Sequence, residues 1–145
     1  MATYTANRVA STIPAKYSPT EPVFEFSQYS GSATFSSGDV IQMLKVNAGA
    51  RLVYGHVSTN EDTYTTQTTY AIGDGVDTDR YFASATIVPS SIARLPNLNT
   101  GNVYEYTAAD TIDVRIENKG GTGGATVLIS LGALIDYTGD DPSSH

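Results

Sequence analysis

The 145-residue chain contains no cysteine and no tryptophan, and only 16% of its residues are charged. Without cysteine there is no disulfide framework and no thiol nucleophile, and the redox compartment leaves no mark on the sequence. No run approaches the roughly 18 to 20 apolar residues that a membrane helix needs, so no membrane partner is expected. Residues 1–15 carry Arg8 but no apolar core of about seven residues, and they do not read as a secretory signal. The Asn-X-Ser/Thr glycosylation pattern is also missing. Fifteen acidic residues against eight basic ones give a net charge of -7. No basic run is available to neutralise successive phosphates, which argues against nucleic acid as a direct partner. Histidine is scarce: His56 lies in a strand pattern and His145 ends a polar tail. A serine triad would therefore depend on His56, whose position suits a half-exposed strand residue better.

What the chain does have is a two-residue hydrophobic period. Between Asp110 and Glu117, Ile112, Val114 and Ile116 alternate strictly with polar residues, the pattern of a half-buried strand. The period returns at Val127, Ile129, Leu131, Ala133, Ile135 and Tyr137, and in shorter form at Phe24 and Phe26 and at Ile41 and Met43. Strands are expected over residues 23–29, 40–46, 52–59, 65–72, 81–87, 103–107, 111–118 and 125–137. Turn chemistry separates them, as in Ser37-Gly38-Asp39, Asn47-Ala48-Gly49 and Asn118-Lys119-Gly120-Gly121. The last two strands read as a hairpin with the glycines 120, 121, 123 and 124 at its tip, and residues 90–95 as a turn or two of helix between Pro89 and Pro96. The final strand is apolar on both faces around Leu128 and Leu134. It is expected to be central or bent, with Gly132 as a bulge or bend that lets it serve two sheets or reach a partner.

About eight antiparallel strands predict an all-β sandwich, of jelly-roll type, over residues 23–138. Residues 1–22 hold Pro14, Pro19 and Pro22 among Ala, Thr and Ser, a composition that neither sustains a helix nor continues a sheet. They read as an extended arm, with Tyr4, Ile13 and Tyr17 as its partner-binding anchors. Residues 139–145 form a polar tail.

The acidic loop from Gly73 to Arg80 holds Asp74, Asp77 and Asp79, which are the calcium candidates. It lacks the EF-hand pattern, since counting from Asp74 the third position is Val76 and the twelfth is Ala85. The competing reading is a structural turn whose aspartates accept backbone hydrogen bonds. Fifteen acids also supply formal glycosidase pairs among Glu25, Glu105, Glu117 and the aspartates, but such pairs are inevitable at this composition. The glycine cluster has neither the spacing nor the Lys-Ser/Thr ending of a phosphate loop. Ten tyrosines suit a contact surface, a carbohydrate platform, or the ordinary core and rim of strands. No residue reads as catalytic and no cofactor is expected.

Several segments together resemble the decoration, or cement, proteins of tailed-bacteriophage capsids. They are the Ala/Thr-rich N-terminus; the run from Asp39 to Val46 continuing into Ala48-Gly49-Ala50; Ile72-Gly73-Asp74-Gly75 with Asp79-Arg80-Tyr81-Phe82; and the run from Tyr106 to Val114. Asn47 replaces the proline expected before Ala48 and Gly49. The resemblance implies a non-enzymatic virion protein, assembled in the host bacterial cytoplasm, that sits on the capsid exterior as a homotrimer. There it would clamp neighbouring copies of the major capsid protein. The alternative is a calcium-dependent carbohydrate-binding module or a phage fibre or tail module, with a small glycan hydrolase third.

Overall fold

The computed structural model describes residues 1–12, 14, 15, 17, 18, 20–32, 35–60, 68–87, 92–95, 104–120 and 126–137. The elements in chain order are β1 (Thr3–Thr5), α1 (Asn7–Ala10), β2 (Val23–Ser32), β3 (Val40–Val46), β4 (Arg51–Thr59), β5 (Thr69–Gly73), β6 (Phe82–Thr86), β7 (Ala93–Leu95), β8 (Asp110–Asn118) and β9 (Thr126–Asp136). They form two sheets, one ordered β2-β9-β4-β7 and the other β1-β3-β8-β5-β6. Without β1, the described strands form the eight-stranded jelly roll: the chain passes from one sheet to the other at most connections, and among the described strands only β5 and β6 are consecutive neighbours in a sheet. The all-β sandwich expectation holds.

The core lies between the sheets. Ile112, Val114 and Ile116 of β8 point inward at 0% exposure, opposed by Leu131, Ala133 and Ile135 of β9. At roughly 1.5–3 kcal/mol for each large side chain removed from water, these two strands alone account for much of the cohesion between the layers. The expected turns before and after β3 contain Gly38 (φ 93°) and Gly49 (φ 87°), a backbone region that glycine enters without strain. Asp39 locks the first turn, its Oδ2 accepting from Ser36 N (2.8 Å) and its Oδ1 from Ala2 N (2.6 Å).

Five expectations change. The strands β8 and β9 are not a hairpin, because they belong to different sheets; glycine content between two strands does not decide which layer the second one joins. Residues 93–95 form β7, which pairs with β4 through Gly55↔Leu95, so burial of Leu95 overrides the helical punctuation. Tyr104, Glu105 and Tyr106 join no ladder, although Tyr106 exchanges backbone bonds with Gly49 and Ala50. Gly132 is no bulge: β9 pairs with β2 in unbroken register, and the bulge falls at Val53 of β4, where register shifts between Leu52 and Tyr54. Finally, the N-terminal residues do form regular structure.

That structure closes one side of the sandwich. β1 adds to β3 in parallel, with Tyr4 opposite Ile41, and α1 follows at the open side between β2 and β3. Ala6 N donates to Gln42 O, Lys45 Nζ donates to Ser11 O, and Ala6 is buried. Asn7 Oδ1 accepts from Gln28 N and Ser27 Oγ, so the helix meets the polar groups of the edge strand β2. Arg8 grips the Glu25 carboxylate through Nε–Oε2 at 2.9 Å and Nη2–Oε1 at 3.2 Å.

Candidate interaction surface

The alternation at Phe24 and Phe26 predicts aromatic side chains facing the core, and the structure inverts it. Glu25 (3% exposed) and Ser27 (0%) face inward, where α1 supplies Arg8 and Asn7, while Phe24 (49%) and Phe26 (44%) face solvent. A buried carboxylate is tolerable only with a charged, hydrogen-bonded partner, and Arg8 is that partner.

The exposed rings continue across the sheet. Register sets Phe24 beside Leu134 and Leu134 beside Tyr54, and in the next row Phe26 beside Gly132 and Gly132 beside His56. The bulge at Val53 turns both Val53 and Tyr54 outward, at 47% and 50% exposure. Gly132 makes the arrangement possible: a Cβ there would lie 2.5 Å from His56 Cε1 and 2.9 Å from Phe24 Cζ, and the two rings stack across it at 19° with centroids 6.4 Å apart. Three strands thus present a contiguous apolar patch of Phe24, Phe26, Val53, Tyr54 and Leu134, of the kind that marks a contact surface. The sequence signal for it was the two-sided apolarity of β9.

The sequence-selected residues fall elsewhere. Tyr4 is half-buried in the chain's own aromatic cluster, edge-on to Phe35 at 5.2 Å and to Tyr29 at 6.0 Å. Tyr17 packs edge-on against Tyr137 at 5.0 Å yet remains 52% exposed, and Ile13 lies outside the described residues. Of the tyrosines, Tyr70, Tyr81, Tyr106 and Tyr137 are fully buried, so the tyrosine-rich composition serves the core more than the surface. Burial raises the phenols of Tyr81 and Tyr106, whose hydroxyls hydrogen-bond at 3.0 Å.

The acidic loop is a turn built on Asp74. Its Oδ1 accepts from Val76 N (2.9 Å) and Asp77 N (2.8 Å), and its Oδ2 from Arg80 Nε (2.7 Å), while Arg80 stacks 3.4 Å over the Tyr104 ring. Burial would raise the Asp74 carboxyl, but the Arg80 hydrogen bond and the backbone donors outweigh it and hold the group below the usual carboxylate range. Asp79 is raised, chiefly by its hydrogen bond with Asp77, then by burial and the Asp77 charge. Among the described residues, no three His, Cys, Asp or Glu side chains are placed to hold a metal ion. Glu61 and Asp62, which the sequence offered as further acids for this loop, lie outside the described residues.

Behind the loop, on the outer face of the five-stranded sheet, is a cavity of about 300 Å³ lined by residues of β1, β3, β8 and the Asp74 turn. At it lies Asp113 of β8, 8% exposed, with Oδ1 lacking a hydrogen-bond partner. Its carboxyl is pushed up to about 7, mainly by burial, with Asp110 and Asp74 adding to the rise against a lowering hydrogen bond from Thr111.

These features define a jelly-roll β-sandwich that shows an apolar sheet face to solvent. Its fold is that of chains in solved bacteriophage capsids. A chain from the capsid of Ralstonia phage GP4 matches with a TM-score of 0.72 at 12% identity, covering 92% of this chain and 96% of the other. A chain from the capsid asymmetric unit of cyanophage Pam1 matches with a TM-score of 0.63 at 18% identity, covering 89% and 95%. One from the capsid of Helicobacter pylori bacteriophage KHP30 gives 0.55 at 9% identity, covering 81% and 94%. No family model and no curated protein matches the sequence.

Proposed function

We propose that the protein is a structural virion component that binds the outer surface of a phage capsid and stabilises contacts between major capsid protein subunits. The observation that carries this reading is the near-complete overlap, in both directions, with chains from three phage capsids. The aromatic patch on β2, β9 and β4 is one shell-contacting surface in this reading, since a protein interface concentrates its energy in a few aromatic anchors. Tyr17 is the contact assigned to residues 1–22. Self-association as a trimer would present three patches at once, and linked weak contacts gain occupancy through effective concentration. The role requires no cofactor and no catalytic group.

The test is co-sedimentation with capsid shells assembled without the protein. Wild-type protein is expected to saturate the shells. Phe26→Asp and Tyr54→Asp are each expected to weaken binding at least tenfold, the equivalent of about 1.4 kcal/mol, with the melting temperature little changed because both side chains are exposed. Full binding by both variants would remove the patch from the interface, and no binding by the wild type would remove the capsid role.

A further inference from the structure

The cavity beside the Asp74 turn carries an unmet chemical demand. Asp113 sits directly opposite Gln42 in the register of β3 and β8, on the sheet's outer face. The residue is more than nine-tenths buried, and one carboxyl oxygen has no donor. A buried acceptor in that condition is costly unless something arrives to fill it.

The charges around it say what would fit. On β8, Asp110 adds negative potential, and so does Asp74 from the neighbouring loop. The Asp74 oxygens are spent on Val76, Asp77 and Arg80. Arg115 of β8 also lines the cavity, but its guanidinium is committed to other groups: Nη1 donates to Thr78 Oγ1 at 3.2 Å, and Nε lies 3.3 Å from Glu117 Oε1, close enough for an ion pair but not aligned as a hydrogen bond. The terminal ammonium of Met1 acts on Asp39. No cation of the described chain therefore offsets Asp113. A divalent metal fits poorly, because calcium needs about six to eight oxygen ligands and, among the described residues, no three acidic side chains converge to hold one. The lining pairs the apolar residues Met1 and Val40 with the polar residues Thr3 and Gln42, a composition that suits an apolar stem with a polar head.

We propose that this cavity receives a protonated alkyl amine, specifically a lysine side chain carried by the capsid subunit that the protein coats. The identity of the carrier rests on the capsid reading above; the chemistry of the cavity does not. The lysine methylenes would lie along Met1 and Val40, and the ammonium would donate to Asp113, Thr3 and the Gln42 carbonyl. A desolvated ammonium–carboxylate contact of this kind sets register between partners as well as contributing affinity.

The cavity is tested first without any partner. Nα-acetyl-lysine methylamide is titrated into 15N-labelled protein at pH 7.5, with the norleucine analogue as the uncharged control. Saturable amide shifts centred on Gln42, Thr78 and Asp113 are expected for the lysine probe alone. Asp113→Asn should weaken the response at least tenfold. Gln42→Lys places an ammonium opposite Asp113 from within the chain, so it should abolish the response in a folded protein. Equal responses to both probes, no response, or an unchanged response in either variant overturns the proposal. Shell binding then tests the carrier: a shell that binds wild type and Asp113→Asn equally well rules out a capsid lysine. A shell that binds neither overturns the capsid reading and leaves the cavity result standing.

Discussion

A carboxyl group buried with an unpartnered oxygen resists ionisation, and Asp113 therefore couples folding to pH. Its folded pKa of about 7 lies above the unfolded value of about 3.9. Between roughly pH 4 and 7 the folded protein holds a proton that the unfolded chain has already lost, so stability falls as pH climbs through that interval. The full effect is on the order of 4 kcal/mol at 1.36 kcal/mol per pKa unit. Asp39 and Asp74 act in the opposite sense. Both carboxyls are held low, Asp39 by the backbone N–H groups of Ala2 and Ser36, so they add stability above about pH 4 that is lost on acidification. The melting temperature is expected to peak near pH 5 and to decline toward pH 7.5. In Asp113→Asn that decline should largely vanish, which thermal scans across pH will check. Gly73 offers a second residue-scale test. A Cβ there would lie within van der Waals overlap of the Asp77 carbonyl oxygen, a backbone atom that cannot step aside. Gly73→Ala should cost about 1–3 kcal/mol, the range for overpacking, and should loosen the Asp74 turn, read as increased amide exchange at Val76 and Asp77.

At the scale of elements, the N-terminal segment is a wall of the sandwich. Arg8 of α1 neutralises Glu25 inside the fold, and removing one partner of a buried pair costs about 3–5 kcal/mol because a charge is stranded. Arg8→Ala should therefore lower the urea midpoint sharply, while the double replacement Arg8→Met with Glu25→Leu should recover most of the loss; failure of the double variant to recover would mean that α1 contributes through packing instead. Deleting residues 1–12 should destabilise the whole domain, so reduced capsid attachment by such a protein would not isolate a contact made by the arm. Strands with strict alternation were legible: β8 and β9 were read to within a residue or two, and β3 to the residue. The segments that failed owe their form to distant neighbours. Nothing in Thr3–Thr5 announces a strand until β3 is beside it, and Leu95 takes extended form because β4 offers a pairing position. At β2 the strand was read correctly, and the structure turns its aromatic side outward. Period fixes which residues share a side, whereas Arg8 and Asn7, from an element the sequence reading left as extended arm, decide which side is inside.

For the whole molecule, the two broad faces differ in character. The four-stranded sheet shows aromatic side chains, and the five-stranded sheet sets Asp113, Arg115 and Gln42 around a cavity. A protein with two such faces can meet two different surfaces, one by apolar burial and one by charge. Binding through the aromatic face should tolerate added salt, while binding through the Asp113 cavity should weaken with it. Shell co-sedimentation between 50 mM and 500 mM salt separates them: Asp113→Asn should remove the salt-dependent part and Phe26→Asp the remainder. Native mass spectrometry with and without chelator reads the oligomeric state, and a chelator-insensitive trimer is the expected species.

The pairing of β2 with β9 has a consequence for biosynthesis. Val23 lies beside Ile135, so β2, made early in this domain, has no in-sheet neighbour until β9 emerges. β4 can pair earlier with β7 through Gly55 to Val57, but its longer ladder needs the same strand. Until β9 is made, Phe24 and Phe26 belong to an unpaired segment, and the four-stranded sheet is incomplete. Long-range pairing of this sort folds slowly. In the capsid role proposed above, a phage that needs many copies at once would have to draw on molecules already finished and folded.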